Sequence, residues 1–266
     1  MLLSYNNSVN MLYGVFSAMF SCGEIWQRTI MIFYRNWHKP KLLTIDLDDT
    51  LYDNGPVIAR AEEYIKTKIG VEYLDGSRLS DSLYYAVRGK MLDICPELEY
   101  DVSMLRYFIF KELLTGSGRT SDDACRLAED LMHDFIRVRS EINVPRETLD
   151  VLHRLKKYYP IIGLTNGNSN PKIAGYDECF DDVIWSGVNI PSKPHPHMFR
   201  QAATLADVDL EDVCHIGDNE TTDIFGAINA GVMCVRQTQY HREESELKIL
   251  PHVSINHISE LIDLLL

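Results

Sequence analysis

The chain is poor in what several common functions require. Its six cysteines, Cys22, Cys95, Cys125, Cys179, Cys214 and Cys234, form no C-x-x-C pair. That argues against a zinc site and against the dense disulfide framework of small secreted domains, so a reducing, cytoplasmic setting is expected. Basic residues are scarce: 26 Lys and Arg stand against 39 Asp and Glu, a net charge of −13. Nucleic acid, whose phosphates demand a basic surface, is therefore not an expected partner. Long apolar runs are lacking as well. The stretch 11–20 is too short to span a bilayer and has no basic segment before it, so neither a membrane span nor a secretory signal is expected. Internal repeats and low-complexity tracts are also missing.

What is present is an ordinary globular composition, 45% hydrophobic and 24% charged over 266 residues. That length suits one core with a sizeable insertion, or two small domains. Residues 1–35, apolar and poor in charge, read as a leader that the fold does not need. Met31 is the expected natural start, because the residues after it already lead into the first strand. The apolar run Leu42-Leu43-Thr44-Ile45 is that strand, and runs at 161–164, 182–185, 213–216 and 233–235 have the same character. Helical spacing at 146–158, 196–206 and 222–230 alternates with them. Strand and helix in series imply right-handed crossovers and an α/β fold, a doubly wound, Rossmann-like parallel sheet.

Between Asp53 and Asn143 the alternation stops, and the pattern predicts helices near 56–69, 79–92, 104–114 and 121–139. An all-helical cap at 54–143 is thus expected to interrupt a core made of 36–53 and 144–266. It leaves the sheet after the first strand and returns before the second, so it should stand over the carboxyl ends of the strands, where open α/β sheets bind ligands. Gly116-Ser117-Gly118 is the expected joint between two cap helices.

Asp46-Leu47-Asp48-Asp49-Thr50 follows directly on the first strand. Carboxylates at the mouth of a buried strand cost several kcal/mol unless they hold a cation, share a proton or react. Thr165-Asn166 ends the second strand, Gly217-Asp218 the fourth, with Asp223 soon after, and Lys193 precedes a helix. Taken singly, each segment is more often a turn, a cap or a surface loop than a site. Their order, and the convergence of strand ends in a parallel sheet, favour one small ligand among them, with Lys193 supplying the cation the carboxylates lack. His195 and His197, beside Lys193, read as solvated loop residues. Asp49 reads as structural, and Tyr52 and Asn54 as weak candidates for substrate entry.

With DLDDT at 46–50, LTN at 164–166, SKP at 192–194 and GDNETTD at 217–223, the chain resembles the phosphatases of the haloacid dehalogenase (HAD) superfamily from about Met31 to its C-terminus. The stretch DLDDTLYDN and the helical cap are similar to bacterial phosphatases acting on FMN and on 5-amino-6-(5-phospho-D-ribitylamino)uracil. The resemblance implies Asp46 as nucleophile, forming an aspartyl phosphate, and Asp48 as general acid and then base. It further implies Mg²⁺ held by Asp46, Asp218 and the main-chain carbonyl of Asp48, with Asp223 supporting from behind. Thr165, the Asn166 N–H and Lys193 are expected to meet phosphate oxygens, Lys193 also neutralising charge as the reaction proceeds. Asn219 departs from relatives with an aspartate there. The implied activity is a Mg²⁺-dependent phosphomonoester hydrolase for a small phosphorylated metabolite of riboflavin metabolism. A phosphatase for a sugar phosphate or phosphoglycolate, a sugar-phosphate mutase, a dehalogenase or a silent HAD-fold regulator are the alternatives.

Overall fold

The strand at 42–45 is buried on both faces, and its side chains alternate between two layers of core. Leu43 and Ile45 face one side of the sheet and Leu42 the other, and the same alternation separates Cys214 and Ile216 from Val213. The computed structural model describes residues 31–187, 189–240 and 247–266. Among them are seven strands, β1 (Ile32–Phe33), β2 (Leu42–Ile45), β3 (Ile161–Thr165), β4 (Asp182–Trp185), β5 (Val213–Gly217), β6 (Met233–Gln237) and β7 (Val253–Ile255), in the order β1-β7-β6-β5-β2-β3-β4. All pairings are parallel except that of β1 with β7. The chain runs outward from β2 through β3 to β4, then crosses back to β5 on the other side of β2. The switch point of the sheet is therefore at β2, between β3 and β5.

Nine helices accompany the strands among the described residues: α1 (Asn54–Tyr73), α2 (Asp81–Ile94), α3 (Val102–Gly116), α4 (Ser121–Arg139), α5 (Arg146–Leu155), α6 (Pro171–Ala174), α7 (His197–Ala206), α8 (Gly226–Ala230) and α9 (Glu260–Leu265). α5 and α9 cover one face of the sheet through Val151, Leu152, Leu155, Leu261 and Leu265. α7 and α8 cover the other through Met198, Phe199, Ala202 and Ala227. Helices α1 to α4 pack on each other around a separate apolar cluster that includes Ile65, Ile109, Phe110, Leu131 and Phe135. Each starts on a side-chain cap: Asp53, Ser80, Asp101 and Thr120 accept backbone N–H groups that the first turn leaves unpaired. No helix among the described residues is long and apolar enough to cross a membrane.

The sequence pattern foresees five of the seven strands and misses β1 and β7. Strands of two and three residues are too short to show a period. Ile32 and Phe33, read from sequence as part of the leader, form the antiparallel edge of the sheet, and Phe33 and Trp37 pack on the core. The expectations for residues 1–30 lie outside the described residues. The helix expected at 222–230 is a π-helical turn over Glu220–Phe225 followed by the short α8.

Candidate active site

The carboxyl ends of β2, β3 and β5 bring Asp46, Thr165 and Asp218 to one edge, and Lys193 reaches them from the loop before α7. Asp46 directly follows β2, its backbone N–H donating to the Ile216 carbonyl at 2.9 Å, and the residue is only 8% exposed. The Lys193 ammonium donates to Asp46 Oδ1 at 2.7 Å, to Asp223 Oδ1 at 2.7 Å and to the Leu164 carbonyl at 2.8 Å. Thr50 Oγ1 lies 3.3 Å from both Asp46 Oδ2 and Asp218 Oδ1, bridging the two carboxylates.

These contacts tie Lys193 to the Asp46 carboxylate. Its ammonium has three protons and three acceptors, and the side chain is buried. It holds the Asp46 carboxylate. Burial opposes its charge, but Asp223 and Asp46 outweigh that and raise its pKa above the ordinary lysine value. Its main chain is fixed by Asn166, whose amide donates to the Lys193 carbonyl and accepts from the Lys193 N–H, both at 2.8 Å. The Asn166 side chain thus supports the lysine loop. The Thr165 hydroxyl accepts from the Gly167 N–H at 2.9 Å and keeps its own proton to donate.

Asp223, on the π-helical turn, has both oxygens engaged. Oδ1 accepts from Lys193 and lies 3.1 Å from His215 Nε2, and Oδ2 accepts from the Asn219 N–H at 3.0 Å. Although burial works the other way, Lys193 and His215 hold its pKa well below the usual carboxylate value. Burial lowers the pKa of His215. Its Nε2 faces Asp223 Oδ1, and its Nδ1 lies 3.0 Å from the Thr44 hydroxyl. A chain of polar contacts therefore runs from Thr44 through His215, Asp223 and Lys193 to Asp46, all of it buried.

Asp46, Asp218 and Asp223 each present an oxygen within 4.8 Å of the others. Desolvation raises Asp46 well above the normal range, with Asp223 and Asp218 adding to the effect against the pull of Lys193. Desolvation, with Asp223 and Asp49, raises Asp218 to about 7. Two hard-oxygen donors crowded together with their charge incompletely balanced fit a divalent cation such as Mg²⁺. Asp223, committed to a lysine, a histidine and an amide, is the least available of the three.

Asp48 sits on the cap side of the site. Its Oδ1 accepts from the Tyr52 hydroxyl and from Arg139 Nη2, the latter at 2.6 Å. Tyr52 is buried and lies 3.2 Å from Ser169 Oγ, so it is no part of an open entrance. Asp49 adopts a left-handed backbone, φ 58°, and accepts the Asn54 N–H at 2.9 Å, which turns the chain from the strand into α1. Arg139, His215 and Tyr52 are the residues that sequence reasoning missed or misplaced. Arg139 does leave a signal: it follows Leu131 and Phe135 at four-residue steps, a cation on an otherwise apolar stripe. His215 interrupts an apolar strand in the same way.

A parallel α/β sheet with aspartates and a lysine gathered at its switch point, under an inserted helical bundle, defines a haloacid dehalogenase-like hydrolase. The model of that family matches residues 40–231, and the chain belongs to the family. The 5-amino-6-(5-phospho-D-ribitylamino)uracil phosphatase YigB of Escherichia coli K12 is 32% identical over 242 residues, covering 88% of this chain and 100% of that protein. A phosphoserine phosphatase of Thermus thermophilus is 29% identical over 221 residues, covering 73% of this chain and 87% of that one. Among solved structures, a 2-haloacid dehalogenase from Pseudomonas syringae pv. tomato DC3000 superposes with a TM-score of 0.76 at 27% identity, covering 84% of this chain and 97% of that one.

Proposed function

We propose that this hydrolase is a Mg²⁺-dependent phosphatase that cleaves a small phosphomonoester through an aspartyl phosphate on Asp46. The observation that carries the reading is the state of Asp46: a buried carboxylate at a strand end, aimed by Lys193 and Thr50, with Asp48 two residues on. Asp46 attacks phosphorus as the bond to the alcohol oxygen breaks, and Asp48 gives that oxygen its proton. The Asp48 carboxylate then takes a proton from the water that attacks the acyl phosphate, which returns Asp46 and releases inorganic phosphate. Thr165, with the Asn166 N–H, donates to the phosphoryl oxygens in this reading, and Lys193 keeps the Asp46 carboxylate oriented.

Asp46, Asp218 and the Asp48 carbonyl would hold Mg²⁺, with Asp223 behind them. Bound there, the ion supplies positive charge against the transferring phosphoryl group and lets both carboxylates ionise. The substrate candidates are 5-amino-6-(5-phospho-D-ribitylamino)uracil and FMN, the former supported by the YigB relative, which matches along its full length. The likeness to a dehalogenase does not favour that chemistry, because carbon–halogen displacement requires no general acid and Asp48 would be idle. A sugar-phosphate mutase would use Asp48 but would return an isomer in place of free phosphate.

The test is hydrolysis of p-nitrophenyl phosphate with and without Mg²⁺, followed by a screen of phosphorylated metabolites by kcat/KM. Activity is expected only with Mg²⁺, and Asp46→Asn is expected to abolish it. Turnover surviving that substitution would remove Asp46 as nucleophile.

A further inference from the structure

We propose that Tyr52 and Arg139 form a clamp that positions Asp48 for proton transfer, so that the last residue of the fourth cap helix helps to orient the acid of the core. The inference rests on the assignment of Asp48 as general acid and goes beyond it by saying what aims that acid and which oxygen carries the proton.

Three observations converge on it. First, Tyr52 and Arg139 both donate to the same oxygen, Oδ1. With two donors on Oδ1, a proton on the carboxyl group resides on Oδ2. Second, Oδ2 lies against Gly167, where an added Cβ would stand 2.5 Å from it and 3.2 Å from Thr165 Oγ1. That places Oδ2 beside the strand end where a phosphoryl group would be held, and the backbone keeps the space clear for it. Third, Arg139 is a poor choice for stability alone. Its side chain is 2% exposed, and its Nη1 has no hydrogen-bond partner among the described residues. A buried guanidinium with an unmet donor is costly, and an apolar residue at this point of α4 would avoid that cost. The clamp is itself braced: Tyr52 lies beside Ser169 and edge-on to Tyr176, with ring centroids 6.3 Å apart. At the residue after Arg139, Ser140 Oγ accepts the Asn170 N–H at 2.8 Å, which ties the end of α4 to the β3 loop.

A positioning role can be separated from a merely structural one by the leaving group. A nitrophenolate departs readily without a proton, whereas a phenolate benefits from one. The ratio kcat/KM reports the step that forms the phosphoenzyme, before the common hydrolysis of the intermediate. Wild type, Tyr52→Phe, Arg139→Lys and Asp48→Asn are to be compared on p-nitrophenyl phosphate and phenyl phosphate at saturating Mg²⁺. Tyr52→Phe keeps the ring that packs on Tyr176, so it tests the hydroxyl even where Arg139→Lys fails to fold.

The expected result is a loss of kcat/KM at least about ten-fold larger on phenyl phosphate than on p-nitrophenyl phosphate, in both clamp variants and in Asp48→Asn. Equal losses on the two substrates in the clamp variants, with a selective loss in Asp48→Asn, would overturn the clamp and leave the acid assignment standing. No selective loss even in Asp48→Asn would overturn the acid assignment and the clamp with it.

Discussion

At Asp218 the electrostatics of the site become measurable. Its pKa is raised to about 7 because burial, Asp223 and Asp49 disfavour its charge. Between the ordinary carboxylate value and about 7, the folded metal-free protein holds a proton that the unfolded chain has released. Stability therefore falls as pH rises through that window, the sign opposite to that of a salt-bridged carboxylate. Asp218→Asn removes the penalty. The metal-free variant is expected to be more stable than wild type at pH 8 by about 2–4 kcal/mol, an advantage that shrinks by more than half at pH 5. Thermal denaturation at the two pH values checks this, and a variant less stable than wild type at pH 8 would contradict it. Asp46, Thr165 and Asp218 were legible because each stands at the end of an apolar run. Arg139 was not, because its meaning depends on Asp48, 91 positions away, which only packing brings to it.

On the scale of single elements, the strand–loop junctions explain why the motifs have their particular shapes. Gly167 follows β3 where Asp48 Oδ2 and Thr165 Oγ1 leave no space for a side chain. Gly167→Ala is therefore expected to reduce kcat at least ten-fold by displacing Asp48, with a melting temperature within a few degrees of wild type, because the crowding falls on a side chain and not on the sheet. Steady-state kinetics beside a melting curve would show it; a fully active Gly167→Ala would mean that Asp48 sits elsewhere during turnover. The five longer strands and the four cap helices followed from hydrophobic period and length. The exceptions have physical causes. β1 and β7 are too short to carry a period. The helix expected at 222–230 begins as a π-helical turn, which carries Asp223 between His215 and Lys193.

Over the whole molecule, a net charge of −13 gives a phosphate ligand no general attraction. Attraction has to come from the site, where Lys193 is spent on Asp46 and Asp223 and Arg139 on Asp48. A cation held by Asp46 and Asp218 would supply the missing charge and couple binding to stability. Mg²⁺ at about a hundred times its Kd is expected to raise Tm by roughly 5–10 °C. At a fixed Mg²⁺ concentration the shift should grow as pH rises towards about 7 and level off above it, because protons then no longer compete for Asp218. A Tm indifferent to Mg²⁺ would argue against the metal.

The central claim, that Asp46 becomes phosphorylated, is tested most directly by trapping. The enzyme turning over p-nitrophenyl phosphate with Mg²⁺ is quenched, reduced with borohydride and mapped by peptide mass spectrometry. An acyl phosphate on Asp46 is expected to appear as homoserine at position 46, and to be missing without substrate. A working enzyme in which position 46 stays aspartate while another residue is modified would contradict the account.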